Sequence, residues 1–559
     1  MKLIPKKSIT LVLLILATSC IGQVTFTSIP IDYQLIGRDR ITNTGNIKIT
    51  GIADNSITQY DSIVIELFRN DLYQNRYSKI LEYESNIASF EFNINIEAEL
   101  ANYSLKIYSQ SGIESHLEKE VENIVSGDVF IIQGQSNAEA AMMLGSSSAY
   151  QDEFIRVFAN GTHFSNQLPD DNNWYIGQGD GFRTSPGNTG QWGLKLAKML
   201  VDTLQIPIAI FNGGHGGKDI SFFHCPANYQ ISLDSNYSRL YYRLNKTGLK
   251  EFVRAILWSQ GEWDGTNFSN TSTEEYKTTF QNLLNDWYRD YQNIEHIYIF
   301  QTKNGCGGNV HRIKEAQRQL SYENSHISIM STAALTHFED ECHFQFVDGY
   351  ESFANRIFPL VTRDLYQMPA YGDIDAPMIN YAEIINTHTL VIGTSASHLQ
   401  INSSAEDFYL ENHEGSIILN TETSNNKIYF TLSKNPGEGA TISYLAQETG
   451  AGNFITNQNG IEILCFYRFP IALNAINNDT LAKIPDIYPN PSSGKIHIEM
   501  PYYTSVARLA LFDIAGSKIR SVTKNSMSFE IDLNVDSGSY LLQIADNNGN
   551  IFMQKIIIF

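Results

Sequence analysis

The sequence predicts a multidomain α/β protein: a central α/β layer built on a parallel sheet, β-sandwich modules on either side of it, and a small terminal β-module. Three observations carry that expectation. A central stretch carries short apolar strands separated by helical segments, as in a parallel sheet. The stretches flanking it alternate apolar and polar residues with period two, as half-buried strands do. The chain has 559 residues, too many for one module at roughly 100 to 200 residues per domain. Hydrophobic residues make up 42% and charged residues 18%, ample material for several packed cores. Lys and Arg number 39 against 60 Asp and Glu, a formal charge of −21; such a field repels phosphate backbones and anionic lipid and argues against nucleic acid or a membrane surface as partner.

The elements follow in order. Lys2, Lys6 and Lys7 precede an apolar run from Ile9 to Ala17, and Thr18-Ser19-Cys20-Ile21-Gly22 follows. This is the layout of a secretory signal over 1–22. Cleavage after Gly22 and cleavage before Cys20 with lipidation both fit it. The run is shorter than the ~20 residues of a membrane-spanning helix, and no comparable run follows, so no transmembrane segment is expected after the signal. Residues 23–125 read as an N-terminal β-sandwich, with alternation in Ser62–Leu67, Phe90–Ile94 and Tyr103–Ile107. Residues 126–367 read as the α/β domain, with strands at Val129–Ile132, Ile206–Phe211, Ala255–Trp258, Ile297–Phe300 and Ile327–Met330. Tyr276, Phe280, Leu283, Leu284 and Trp287 form one helical apolar stripe, with Ser272 and Glu275 as a capping box at its start. Residues 368–476 return to alternation as a second β-domain, 477–483 are a polar linker, and 484–559 are a terminal β-module. Outside the signal stand Cys225, Cys306, Cys342 and Cys465. In an exported chain this allows one or two disulfides with three connectivities; buried free thiols are the other reading.

Four polar or glycine-rich motifs each follow a predicted parallel strand, and ligands bind at the carboxyl ends of such strands. They are Gln133-Gly134-Gln135-Ser136-Asn137, Asn212-Gly213-Gly214-His215-Gly216-Gly217, Ser259-Gln260-Gly261-Glu262-Trp263-Asp264 and Asp340-Glu341-Cys342-His343. A serine becomes nucleophilic at neutral pH only beside a base, and the base needs an acceptor to hold its tautomer. Asp340 and His343, three residues apart, supply both from one turn. Acyl transfer also needs donors for the developing oxyanion; backbone N–H groups of Ser136 and of Gly216 or Gly217, with the Gln260 amide, form the expected set. Glu262 is expected to brace its loop, and Asp264 is unassigned. The glycine cluster departs from a phosphate-binding loop at Asn212 and Asp219. His215, His224 and Cys225 lack a fourth ligand at a zinc-type spacing.

With Gly127-Asp128-Val129-Phe130 leading into the serine motif, these four blocks resemble the SGNH hydrolases of the sialate O-acetylesterase and acetylxylan esterase branch, over about 126–367. The resemblance implies the SGNH three-layer α/β/α fold and a carbohydrate O-acetylesterase. It also implies a catalytic set of Ser136 as nucleophile, His343 as base and Asp340 as its partner. Ser136, Gly216 or Gly217 and Gln260 form its oxyanion hole, and Asn137 and Glu262 support it. No metal or organic cofactor is implied. The terminal module, with Tyr488-Pro489-Asn490-Pro491, Gly516, Gly538-x-Tyr540 and Lys555, resembles the type A sorting domain of type IX secretion in Bacteroidetes-type bacteria. It implies that the secretion machinery is a partner and that the protein is secreted or held on the surface of a Gram-negative cell. The expected substrate is an acetylated carbohydrate; sialic acid, xylan and pectin esterases share these blocks. Rival readings are an SGNH esterase acting on a non-carbohydrate ester, and an inactive carbohydrate-binding or adhesive surface protein.

Overall fold

The computed structural model describes residues 24–56, 58–159, 171–230, 232–266, 269–303, 306, 310–401, 407–445, 454–473, 485–500, 507–514, 516–524, 528–546 and 551–559. The expected signal and linker lie outside them. The chain forms two compact units, one ending at Leu473 and one from Asn474 to Phe559.

The first unit opens with a β-sandwich. Its strand Ile87–Glu97 buries every second residue and pairs antiparallel with Thr44–Asp54 along its whole length. Ser62–Arg69 pairs with Leu72–Ile80 and Tyr103–Ser111 in the facing sheet. Ile47, Ile49, Ile63, Ile65, Phe90, Ile94, Leu105 and Ile107 fill the space between, as two alternating faces must when they share one dry core.

A single strand, β1 (Glu114–Gly134), leaves this sandwich and becomes the centre of the α/β domain. Its first seven residues are mostly exposed and pair with Tyr103–Ser111; from Ile124 onward it is buried on both faces. The sequence boundary at 125/126 therefore marks where burial changes, while the backbone runs on unbroken. The remaining strands of the domain are β2 (Ile155–Phe158), β3 (Trp174–Ile176), β4 (Ile208–Asn212), β5 (Val253–Ser259), β6 (His296–Phe300) and β7 (Ile327–Met330). Their order is β3-β2-β4-β1-β5-β6-β7, parallel except for the β2/β3 edge hairpin. Sequence reading missed that hairpin because Arg156 interrupts its apolar pattern. Arg156 is buried, and its guanidinium donates to the Asn102 side chain at 3.2 Å and to the Asn123 carbonyl at 3.3 Å on the sandwich.

The helices are α1 (Ser136–Glu139), α2 (Gln191–Leu204), α3 (Asn236–Lys246), α4 (Thr273–Asp290), α5 (His311–Glu323) and α6 (Glu351–Tyr366). Successive β1 residues separate two of the layers. A Cβ at Gly193 of α2 would meet the Ile132 side chain, whereas Gln133 accepts a hydrogen bond from Trp287 of α4 at 3.2 Å; neighbouring strand residues point to opposite faces, so α2 and α4 cover opposite faces. Trp192 joins Phe353 to bring α6 beside α2, and Tyr237 donates to Asp290 at 2.6 Å to bring α3 beside α4. The expected capping box is present: Ser272 accepts from Glu275 N at 3.2 Å and Glu275 accepts from Ser272 N at 2.8 Å.

The second β-region begins with Ile379–Asn386 and includes Thr389–Thr394, Lys427–Leu432, Thr441–Tyr444 and Phe466–Pro470 around its own core. It is joined to the α/β domain by reciprocal bonds between the Gln301 side chain and the Cys465 backbone at 3.0 and 2.9 Å, and by a bidentate Arg356–Glu462 pair at 2.6 Å. In the terminal unit a three-stranded and a four-stranded sheet enclose Ile496, Leu509, Ile531, Leu542 and Ile556. Asn490, in the Tyr-Pro-Asn-Pro opening, donates to the Lys555 carbonyl at 2.6 Å and accepts from Ile557 N at 2.9 Å, pinning that opening to the last strand.

Candidate active site

Strand order reverses at β1, with β4 on one side and β5 on the other, so the loop after β1 sits at the topological switch point where open α/β sheets bind ligands. Three of the four motifs meet there. Gly134 has φ +133°, and a Cβ on it would lie 2.1 Å from the Ser259 carbonyl oxygen; only glycine lets β1 end this close to β5. Gln135 N then donates to Ser259 O at 2.9 Å, and the Gln135 side chain accepts from Gly261 N and Trp263 N, both at 3.2 Å. Ser136 is thereby presented at the start of the one-turn α1.

The residues around Ser136 are tied in every direction. Asn137 is buried; its amide donates to Glu262 Oε1 at 2.7 Å and to the Cys342 carbonyl at 3.2 Å, and its oxygen accepts from Tyr350 OH at 2.9 Å. One side chain thus joins the serine loop to the β5 loop, the histidine turn and the segment leading into α6. Glu139, also buried, pairs with Arg183 at 3.2 Å and accepts from Gly216 N at 3.1 Å. Its spacing from Ser136 carries no signal that would have found it.

On the far side of the cavity His343 Nδ1 lies 2.6 Å from Asp340 Oδ2. The other Asp340 oxygen accepts the backbone N–H groups of Cys342 and His343 at 3.0 and 2.9 Å. Burial pushes the Asp340 carboxyl upward, but these hydrogen bonds outweigh it and hold it below the ordinary carboxylate range. With an ionised Asp340, Nδ1 carries the proton and Nε2 is left as the basic atom. Cys342, between the two residues, is bonded to Cys306, while Cys225 and Cys465 are free thiols.

Ser136, Gly216, Gly217, Glu262 and His343 line one cavity of about 600 Å³, together with Glu139, Met143, Phe182, Arg183, Trp263 and both half-cystines. Among the described residues no direct Ser136–His343 hydrogen bond forms, as is common before substrate binds. A second groove of similar volume lies at the amino-terminal edge of the parallel sheet, walled by Arg38, Arg40, Asp128 and Arg254. Its lining holds no serine, cysteine or histidine. Burial raises the Glu262 carboxyl, and it pushes Asp264 up to about 6. His337 is exposed, with Nδ1 on the Phe338 carbonyl at 2.8 Å. His215 is buried against Phe222 and is pushed down to about 4 by burial and by the positive charges of Arg183, Lys218 and Arg239.

Two residues expected as oxyanion donors have their N–H groups engaged elsewhere. Gln260 is fully buried, its amide donates to the Lys218 carbonyl at 3.2 Å and to Asp264, and its oxygen accepts from Tyr276 OH at 2.9 Å. Both amide protons are spent inside the fold, and Gln260 braces the β4 and β5 loops instead of facing the cavity. Gly216 lies against Ser136, a Cβ on it falling 3.4 Å from Ser136 Cβ, but its N–H is given to Glu139. The N–H groups of Ser136 and Gly217 have no acceptor among the described residues. Gly217 has φ +67° and open space where a Cβ would stand.

Residues 126–357 match the carbohydrate esterase family described as sialic acid-specific acetylesterase, and residues 486–559 match the secretion system C-terminal sorting domain. The fold is similar to a carbohydrate acetylesterase from Xanthomonas citri, with TM-score 0.57 and 16% identity over 78% of this chain and 98% of that one. A protein from Arabidopsis thaliana is 18% identical over 41% of this chain and 95% of that chain, with TM-score 0.32. An ulvan lyase from Nonlabens ulvanivorans is 23% identical over 147 residues, and this chain spans 26% of its length. The sorting domain directs the protein through type IX secretion to the cell surface or beyond. The chain thus carries a segment, 126–357, that matches the sialic acid-specific acetylesterase family of carbohydrate esterases, followed by a segment, 486–559, that matches a secretion sorting domain.

Proposed function

We propose that the enzyme removes O-acetyl groups from carbohydrate hydroxyls through an acyl-Ser136 intermediate. The observation that carries this reading is the convergence of Ser136 with the hydrogen-bonded His343–Asp340 pair on one cavity at the sheet's switch point. Ser136 Oγ attacks the ester carbonyl while His343 Nε2 takes its proton, and Asp340 holds the ring and stabilises the imidazolium. The N–H groups of Ser136 and Gly217 receive the oxyanion. His343 then returns the proton to the departing sugar hydroxyl. Water, deprotonated by the same nitrogen, attacks the acyl-enzyme and releases acetate.

Asn137 and Glu262 keep the nucleophile and base loops in register. Trp263 and Phe182, 42% and 46% exposed at the cavity, offer apolar faces to a sugar ring. Acetate release from acetylated sialic acids, xylan and pectin tests the reading. Turnover of at least one glycan well above that of simple aliphatic esters is expected. Hydrolysis confined to long-chain or aryl esters would contradict it.

A further inference from the structure

The histidine turn has an unusual support. Asp340 is 39% exposed and His343 21% exposed, so little packing fixes them. Within the turn Glu341 adopts φ +58°, and across the disulfide Cys306 adopts φ +53°; both are non-glycine residues in the left-handed region, which persists only where neighbouring structure over-determines it. What over-determines the turn is local: the hydrogen bonds to Asp340, a bond from Phe338 N to His343 O at 2.7 Å, the Asn137 bond to the Cys342 carbonyl, and the Cys306–Cys342 bridge. Cys306 follows β6, whose interior residues are buried. The bridge is the covalent link from the turn to that side of the domain, and both half-cystines line the cavity that holds Ser136.

We propose that the Cys306–Cys342 disulfide is a positioning device for the base: it holds the Asp340–His343 turn opposite Ser136, so that full turnover belongs to the oxidised protein. The proposal rests on the catalytic reading given above. An exported chain meets the oxidising surroundings in which such a bond persists.

Reduction by dithiothreitol tests it on the native chain. Two electrons and two protons pass to the bridge, giving two cysteine thiols, and the reagent closes to its cyclic disulfide. With fold monitored by near-ultraviolet circular dichroism, reduction is expected to lower kcat at least about tenfold, since misplacements of an ångström cost up to about 10²-fold. KM should stay within about twofold because the sugar contacts are untouched, and reoxidation should restore kcat. Cys306→Ala/Cys342→Ala should show the same lowered kcat and no response to reductant, whereas Cys225→Ser, at a free thiol that does not line the cavity, should behave as wild type.

Full reduction of the bridge to two thiols with kcat unchanged would overturn the proposal. So would loss of the dichroism signal together with activity, because the bond would then hold the fold and not the turn. Asp340→Asn, assayed in parallel, separates this from failure of the catalytic reading: an active Asp340→Asn enzyme would remove the catalytic assignment itself, while an inactive one beside a fully active reduced enzyme would sink only the role of the disulfide.

Discussion

The two sides of the candidate active-site cavity are built in opposite ways. On the serine side, Asn137 and Glu139 are buried and bonded to the glycine loop, the β5 loop and the segment leading into α6, and Gly134 lets the strand ends touch. On the histidine side, Asp340 and His343 sit on a partly exposed turn held by a few hydrogen bonds and one disulfide. The serine side is an extension of the sheet, so its supports are also supports of the fold. The histidine side is a local device whose parts can be changed with little cost to stability.

Asp340→Asn makes that contrast most visible. An amide can hold the ring but favours the wrong tautomer and does not stabilise the imidazolium, so kcat should fall about 10³–10⁴-fold. Melting should move by no more than about 2 °C, because the site is partly exposed. A melting shift much larger than this would mean that the turn is part of the fold's support after all.

Asn137→Ala should do the reverse in kind. It strands the buried Glu262 carboxyl and the Tyr350 hydroxyl, which should cost about 2–4 kcal/mol of stability. It should also lower kcat roughly 10²-fold by loosening the register between the loops. Denaturant unfolding and steady-state kinetics on one preparation measure both. Unchanged stability would show that the serine side is no more fold-coupled than the histidine side.

Gln260→Glu sharpens the same distinction. A second carboxyl beside Asp264 in a fully buried place should destabilise the protein by about 2–4 kcal/mol at pH 8. The Asp264 carboxyl already sits at about 6 in the folded protein, above its ordinary value, and a carboxyl neighbour raises it further. The folded state therefore holds a proton that the unfolded chain has lost. Stability is fully present below about pH 4 and falls as pH rises through the folded value. Thermal melts should show the deficit of the variant shrinking from pH 8 to pH 5. Normal melting with collapsed kcat would instead restore Gln260 as an oxyanion donor.

The smallest effect is expected for Trp263→Ala. Its ring is exposed at the cavity, so a glycan substrate should show KM raised about three- to tenfold with kcat nearly constant, and a small acetyl ester should show no change. Equal loss on both substrates would mean that Trp263 shapes the loop and not the sugar site.

Much of this architecture was legible because it is periodic. β7 lies where the apolar run Ile327–Met330 places it, and the Ser272/Glu275 capping box starts α4. The two features that escaped are those in which a charge is buried: Arg156 in the edge strand and the Glu139–Arg183 pair beside Ser136. A charged residue reads as exposed until its partners are known, and those partners lie 33 to 54 residues away for Arg156 and 44 to 77 for Glu139. The bonding of Gln260 was hidden for the complementary reason. Its place after β5 is correct, but the orientation of an amide is decided by neighbours, here Lys218, Asp264 and Tyr276, that strand position does not reveal. The disulfide left more trace, since Cys342 stands between Asp340 and His343 in the sequence.

The central claim is that Ser136, served by His343 and Asp340, is the nucleophile. Its most direct test is inactivation by a serine-directed fluorophosphonate, followed by peptide mass mapping. The account predicts one adduct per chain, on the peptide containing Ser136, forming in step with loss of esterase activity and absent from Ser136→Ala. An adduct on another serine, or full activity remaining after Ser136 is quantitatively modified, would contradict it.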